Sequence, residues 1–313
     1  MINSLVKYFT KKEIVLYNKH RQSIPIVNNK RNRKKYIFLN FNRILSKIPI
    51  KSEYKLKYKV AYIILNFISP KYIMDINWIS RMSCLYKLWT KNHLKSKYIV
   101  IQHGSYVGGV VTDIPHRYTN CDVFLVWGNY FKILFENYNK GKKIDILNFG
   151  NPVYNEFNRD DFHYKDEHQS KIKVLLAPSA IEGEPLEQLY KLYDKLVELG
   201  FDVKIKEHSM QNKFAQITRL PKELCSPLKL LKDQHYDIIV SDHSSIILDA
   251  IFFKNPVVSF SYQETKFLEY LDNAFDQVDS IVNKENFLKY FNKKQQELLF
   301  SYMVNSKNNS NEL

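Results

Sequence analysis

Residues 236–260 read YDIIVSDHSSIILDAIFFKNPVVSF. Ile238, Ile239 and Val240 form a short apolar run with polar neighbours, the pattern of a buried strand. The character then changes to Ser241, Asp242, His243, Ser244 and Ser245. Ile246, Ile247, Leu248, Ala250, Ile251 and Phe252 follow as a largely buried helix. Asn255-Pro256 stops that helix, and Val257 to Phe260 is a second strand. The unit is strand, polar elbow, helix, strand, and two strands joined through a helix run parallel. In open parallel sheets, ligands sit at the carboxyl ends of the strands. Helix N-termini there offer unpaired N–H groups that suit phosphate. Ser244 and Ser245 can donate hydroxyls to such a group, and Asp249, one turn into the helix, can face the same pocket. Serine and aspartate are also ordinary helix caps, so both readings of the elbow stand.

Working outward, the same polar punctuation recurs at other strand ends. Tyr98 to Gln102 is a strand, followed at once by His103-Gly104-Ser105-Tyr106-Val107-Gly108-Gly109. Three of the chain's eight glycines fall there, and glycine allows close backbone approach to a ligand. A histidine at the lip of such a loop can act as a base or bind phosphate; a plain turn with a hydrogen-bonded histidine is the alternative. Cys121 to Trp127 is a strand broken at Gly128, with Asn129 capping a helix through Tyr138. Ile144 to Phe149 is a strand ending in Gly150-Asn151-Pro152, which also fits a simple turn. Lys171 to Ala177 is a strand, Glu184 to Leu199 an amphipathic helix closed by Gly200, and Phe201 to Lys206 a strand with Glu207-His208-Ser209 at its end.

The remaining segments are less marked. Residues 1–35 are polar and basic with one apolar patch at Ile14-Val15-Leu16. Tyr36 to Phe41 reads as a strand, and so does the more continuously apolar Lys57 to Phe67. Arg81 to His93 has helical spacing. Ser226 to Lys232 makes one or two helical turns, and Asn283 to Tyr302 is helical. Asn305 to Leu313 is a polar tail without a core pattern. Arg159 to Ser170 is charged and lacks periodicity, so it reads as a linker. Two successive sets of alternating strands and helices therefore meet near residue 165. The reading is α/β, with an N-terminal lobe over 1–165 and a C-terminal lobe over 166–313, and with room for the last helices to cross back. Each lobe is expected to be Rossmann-like, facing a central cleft.

Composition bounds the rest. The chain has 313 residues, 45% of them hydrophobic and 25% charged, a globular balance. Its net charge of +15 suits nucleic acid, an anionic membrane surface or phosphorylated substrates. No nucleic-acid-binding motif accompanies that charge. Cys84, Cys121 and Cys225 are scattered, which fits a reducing cytosol and no cysteine-built zinc site. His103, His208 and His243 lack metal-ligand spacing, and no metal is expected. No signal segment opens the sequence. The most apolar window, Val60 to Met74, is too short to span a bilayer; it reads as a core strand and the segment after it. No Walker loop, GxSxG elbow or catalytic carboxylate pair is present.

The order QHG at Gln102, WGNYF at Trp127, FGNPVYNEF at Phe149 and SDHSSIILDAIFFKNPVV at Ser241 resembles the GT-B glycosyltransferase superfamily. It is most similar to the CDP-glycerol glycerophosphotransferase group and related capsule and surface-polysaccharide transferases that use CMP-activated sugars. The resemblance covers about residues 97–260. It implies that His103 is the acceptor-side base, and that Gly104, Asn151, Lys206, His208, Ser244, Ser245 and Asp249 serve the donor. In that assignment His208, followed here by Ser209 rather than proline, meets the donor phosphate with the two serines, and Asp249 meets the ribose. It implies a nucleotide-activated donor, CMP- or CDP-linked, as substrate, no separate cofactor, and a glycan or lipid-linked acceptor. It places the protein in the cytoplasm, with room for contact at the inner face of the cell membrane. A UDP-sugar 2-epimerase on the same scaffold and a basic nucleic-acid-binding protein are the alternatives.

Overall fold

The computed structural model describes residues 13–17, 36–40, 54–75, 81–102, 120–151, 154, 157–165, 171–179, 184–208, 217, 219–242, 244–259, 276–277 and 293–304. These fall into two compact units. The first holds the described residues up to Tyr154 together with Met303 and Val304; the second runs from Phe157 to Tyr302.

The first unit is built on strands β1 (Glu13–Tyr17), β2 (Tyr36–Asn40), β3 (Tyr72–Asp75), β4 (Lys97–Ile101), β5 (Val123–Val126) and β6 (Asp145–Asn148). They form one parallel sheet in the order β2-β1-β3-β4-β5-β6. Its helices are α1 (Tyr54–Ile68), α2 (Arg81–Asn92) and α3 (Asn129–Tyr138). Tyr86, Trp89, Phe124, Phe131 and Phe135 are completely buried, and the Phe124 and Phe135 rings meet at 4.5 Å. Aromatic burial of this kind dominates core energetics. Helix α2 is tied to the sheet by Lys87. Its ammonium pairs with Asp122 and donates to the Cys121 carbonyl at 3.2 Å.

Three expectations change here. Lys57 to Phe67 is not a strand but most of α1. A continuous apolar run cannot by itself separate strand from buried helix. Ala61 and Leu65, one turn apart, are fully buried, so it is the helical period that meets the core; within Val60 to Met74 only Tyr72 onward is strand. The apolar patch at Ile14-Val15-Leu16 is the middle of β1, which lies between β2 and β3. Its basic surroundings hide a short interior strand. Asn129 is the first residue of α3 rather than its cap. Gly128 holds the cap position in extended backbone with no side-chain bond, and the Asn129 amide oxygen accepts from Asn148 at 2.7 Å.

The second unit carries β7 (Lys173–Leu176), β8 (Asp202–Ile205), β9 (Ile238–Ser241), β10 (Val257–Ser259) and β11 (Asp276–Gln277). They too are all parallel, in the order β11-β10-β9-β7-β8. Helices α4 (Glu184–Glu198), α5 (Pro227–Lys232), α6 (Ile246–Phe252) and α7 (Lys293–Met303) accompany them. Leu189, Leu192 and Leu196 of α4 pack on Val174, Leu176, Val203 and Ile205, as the amphipathic spacing requires. Helix α4 ends at Gly200, whose φ is +87°. The Phe201 N–H returns to the Leu196 carbonyl at 3.1 Å, the bond of a Schellman ending. Helix α5 begins with Pro227 after Ser226, whose hydroxyl accepts from the Lys229 N–H.

In both sheets the chain leaves its first strand in one direction and its later strands run in the other. The reversal lies between β1 and β3 in the first unit and between β7 and β9 in the second. A crevice opens at the carboxyl ends of the strands flanking such a point.

Helix α7 is fastened within the second unit by charge. Glu297 accepts from Arg159 and from Lys254, each at 2.6 Å, and from the Tyr164 hydroxyl at 3.0 Å. Arg159 also lies 4.2 Å over the Phe300 ring. Burial pushes the Glu297 carboxyl up, but the bonds from Lys254 and Arg159 outweigh it and hold it below its ordinary range. All three charged side chains are less than one-third exposed, so Glu297→Ala leaves two cations short of a partner. The expected loss is about 1–3 kcal/mol in urea unfolding. A depressed carboxyl stabilises the fold above its unfolded pKa of about 4.3 and loses that contribution as the pH falls through the lower folded value. The difference between wild type and Glu297→Ala should therefore shrink on acidification, and a constant difference would contradict the assignment.

Candidate functional site

At the reversal point of the second sheet, a cavity of about 500 Å³ opens beyond the strand ends. Ala177 and Pro178 follow β7, Lys206, Glu207 and His208 follow β8, and Ser244, Ser245, Ile246 and Asp249 belong to the elbow and α6; all line it. Five residues chosen from sequence, Lys206, His208, Ser244, Ser245 and Asp249, thus share one space. They come from separate strand ends that only the parallel order brings together.

The tips of β7 and β9 are clasped. The Ser241 hydroxyl donates to the Ala177 carbonyl at 2.6 Å. Asp242 accepts from the Ser179 N–H at 2.9 Å, and its second oxygen accepts from the Ser179 hydroxyl. Asp242, open to a capping role in sequence, is instead a buried strut between strand ends. That fixes where the elbow leaves the sheet. Ser245 then occupies the cap position of α6 in helical backbone and makes no side-chain capping bond. The hydroxyl is therefore not consumed by the role that serine most often plays there. The Ser244 carbonyl accepts from the Ile247 N–H, and the Ser245 carbonyl from the N–H groups of Leu248 and Asp249.

Electrostatics in the cavity are mixed rather than uniformly positive. Lys206 donates to the Glu223 carbonyl at 3.2 Å, a neutral acceptor that leaves its charge uncancelled. Glu207 is paired with Lys222 at 2.8 Å and accepts from the Ile217 N–H at 3.2 Å. Glu223 accepts from the Tyr236 hydroxyl at 2.7 Å and from the Cys225 N–H at 3.1 Å. Those bonds, the tyrosine's first, bring its carboxyl down to about 2. His208 is half-buried, and burial holds its pKa below the ordinary histidine value against the opposing pull of Asp242. That burial favours the uncharged imidazole at neutral pH.

The far wall of the cavity, Lys222, Glu223, Leu224 and Pro227, escaped the sequence reading. Residues 221–223 run as one extra rung beside β8. The Ile205 N–H reaches the Pro221 carbonyl at 2.9 Å, and the Glu223 N–H reaches the Ile205 carbonyl at 2.8 Å. A single bridge has no periodicity, so no local pattern announces it.

Other expected residues stand elsewhere. Asn151 is buried in the first unit, where its carbonyl accepts from the Tyr154 N–H at 3.1 Å, and it does not line this cavity. Gly150 before it has φ +87°, so glycine is required at that turn. His103, Gly104 and the glycines at 108 and 109 lie outside the described residues, as does His243. The residue before His103 is described. Gln102 is buried at the end of β4, accepting from the Trp127 N–H at 2.9 Å through its side chain and from the Trp127 indole at 3.0 Å through its carbonyl. Among the described residues no group of three or more His, Cys, Asp or Glu is placed to hold a metal ion, and no helix is long and apolar enough to cross a membrane.

No protein-family model and no curated protein sequence matches the chain. Solved structures do. A variant of the wall teichoic acid polymerase TagF superposes with a TM-score of 0.58 at 13% identity, over 95% of this chain and 85% of that one. The fold is GT-B. UDP-N-acetylglucosamine 2-epimerase from Rickettsia bellii superposes with a TM-score of 0.57 at 12% identity, over 90% and 89% of the two chains. The UDP-GlcNAc 2-epimerase of Methanocaldococcus jannaschii gives 0.51 at 12% identity, over 95% and 94%. At these identities the likeness is one of fold, with transferase and epimerase represented alike.

Proposed function

We propose that this protein is a GT-B transferase that uses a nucleotide-activated donor, CMP- or CDP-linked, to build a bacterial surface polysaccharide. The observation that supports it best is the meeting of Lys206, His208, Ser244, Ser245 and Asp249 in one cavity at the sheet's reversal point. Ser244 and Ser245 offer hydroxyls to the donor phosphates, with Lys206 and His208 supplying positive charge as the leaving group develops. Asp249 accepts from the ribose hydroxyls. These donors meet the leaving-group charge directly, so the reading assigns no metal. His103 takes the proton from an acceptor hydroxyl. That oxygen attacks the transferred group, and the bond to the nucleotide phosphate breaks with its electrons on phosphate oxygen. The acceptor is a glycan or a lipid-linked glycan, met in the cytoplasm at the inner face of the membrane; nucleic acid is not a partner.

The experiment is a thermal-shift comparison of CMP, CDP and UDP compounds. A ligand at about 100 times its Kd stabilises by about 2.7 kcal/mol through mass action. CMP or CDP compounds are expected to raise Tm, and no response to any of the three overturns the reading.

The two epimerase structures favour one second reading, a UDP-sugar 2-epimerase on the same scaffold. Incubation with a UDP-sugar and no acceptor separates the two, because only an epimerase forms product there.

A further inference from the structure

Helix α1 is apolar on two opposite sides. Ala61 and Leu65 face the core. At 100° per residue, Leu56, Val60, Ile63 and Phe67 fall in one narrow arc on the opposite side. Ile63 is 64% exposed and Phe67 80%. Helix α2 lies alongside, joined to α1 by the Trp89 indole donating to Asn66 at 2.8 Å and by Asn92 with the Tyr62 hydroxyl. It adds Leu88 to the surface, and the turn after it adds Leu94, 91% exposed. The Ser96 hydroxyl bonds the Pro70 carbonyl at 2.7 Å, so the Leu94 turn is held next to the end of α1 that carries Phe67. Five of the eleven large exposed apolar side chains among the described residues therefore gather on α1, α2 and the turn after α2. Scattered exposed leucines are ordinary; a contiguous stripe marks an interaction surface.

The charge around that stripe says what it meets. From Tyr54 to Lys97 the sequence has nine lysines and arginines and a single acid, Asp75. Asp75 is buried. Lys57 and Lys59 flank the α1 stripe, and Lys91, Lys95 and Lys97 surround Leu88 and Leu94; all five are exposed. With lysines around it and no exposed acid among the described residues from Tyr54 to Lys97, the apolar stripe repels a second copy of itself and fits a surface that is apolar inside and anionic outside.

We propose that the outer face of α1 and α2 docks on an anionic lipid bilayer, with Ile63, Phe67 and Leu94 entering the headgroup boundary and the lysines meeting lipid phosphates. Apolar contact and electrostatic attraction add at such an interface. The surface belongs to the first unit and the cavity residues to the second, so the proposal stands whether or not the cavity binds a nucleotide.

The test is flotation of the full chain with phosphatidylcholine vesicles and with vesicles that also contain phosphatidylglycerol. The protein is expected to float with the anionic vesicles, and less so as salt rises. Ile63→Ser with Phe67→Ser should lower the bound fraction at least about tenfold, and Lys57→Glu with Lys59→Glu should do the same on anionic vesicles only. Circular dichroism checks the fold of each variant. Should the α1 changes unfold the protein, Leu94→Ser with Lys91→Glu and Lys95→Glu, in and beside an exposed turn, gives the same readout. Equal binding to neutral and anionic vesicles, or binding that no variant reduces, overturns the proposal. So does a variant that splits an oligomer in sedimentation while lipid binding is absent, since a second copy would then cover the stripe.

Discussion

Affinity for a CDP-linked donor is expected to rise as the pH falls from about 8 to about 5.5, and in His208→Ala to stay flat. The sign follows from where the proton resides. In the free protein, burial holds the His208 pKa below its ordinary value despite Asp242. A phosphate beside the ring favours the imidazolium and raises that pKa. Binding therefore takes up a proton in the interval between the two values. Affinity is weakest above the bound-state pKa, grows through the interval and levels off below the free-state value. A rise of one unit on binding corresponds to about tenfold in affinity. At the acid end, His208→Ala should cost about 10- to 150-fold, the loss of a hydrogen bond to a charged group. Glu223, held down to about 2, does not titrate in this range. A donor whose phosphates are both diesterified brings no titrating proton of its own. Calorimetric titrations at several pH values measure it. A pH-independent wild type would remove His208 from the phosphate.

His103→Ala is expected to leave donor binding intact and to lower kcat by about two to four orders of magnitude, the usual contribution of a general base. The residue before it, Gln102, is clamped at the end of β4 by two bonds with Trp127. A base that acts on the acceptor has no part in holding the nucleotide, and this separates it from His208. Single-turnover assays with saturating donor, beside a thermal shift for the same variant, give both readouts. Loss of donor binding together with turnover would place His103 on the donor side, and unchanged turnover would end its assignment as base.

The strand, elbow, helix and strand between Ile238 and Ser259 are legible because every signal in them is local. The apolar run is short, the polar residues are consecutive, and Asn255-Pro256 ends the helix where a proline must. Gly200 is legible for the same reason, since its positive φ is a property of one residue. Helix α1 is not, because its apolar residues serve two surfaces at once, one buried in the core and one exposed to solvent. That double use erases the one-sided period by which a helix is recognised. The strand at Ile14-Val15-Leu16 is hidden because five residues carry no more than one apolar patch, and its place inside the sheet comes from its partners β2 and β3.

Local chemistry thus marked the strands that end in polar elbows, and with them His208, Ser244, Ser245 and Asp249 as candidates, to which the family resemblance added Lys206. Their assembly into one cavity came from the parallel order β10-β9-β7-β8, which turns about the β7–β9 pair and sets distant strand ends side by side. The same order turned Asp242 from a possible cap into a strut on Ser179, and drew residues 221–223 beside β8 to close the wall. Pairing between strands far apart in sequence depends on hydrogen bonds and burial that no single segment encodes, so it appears only when the sheet is formed.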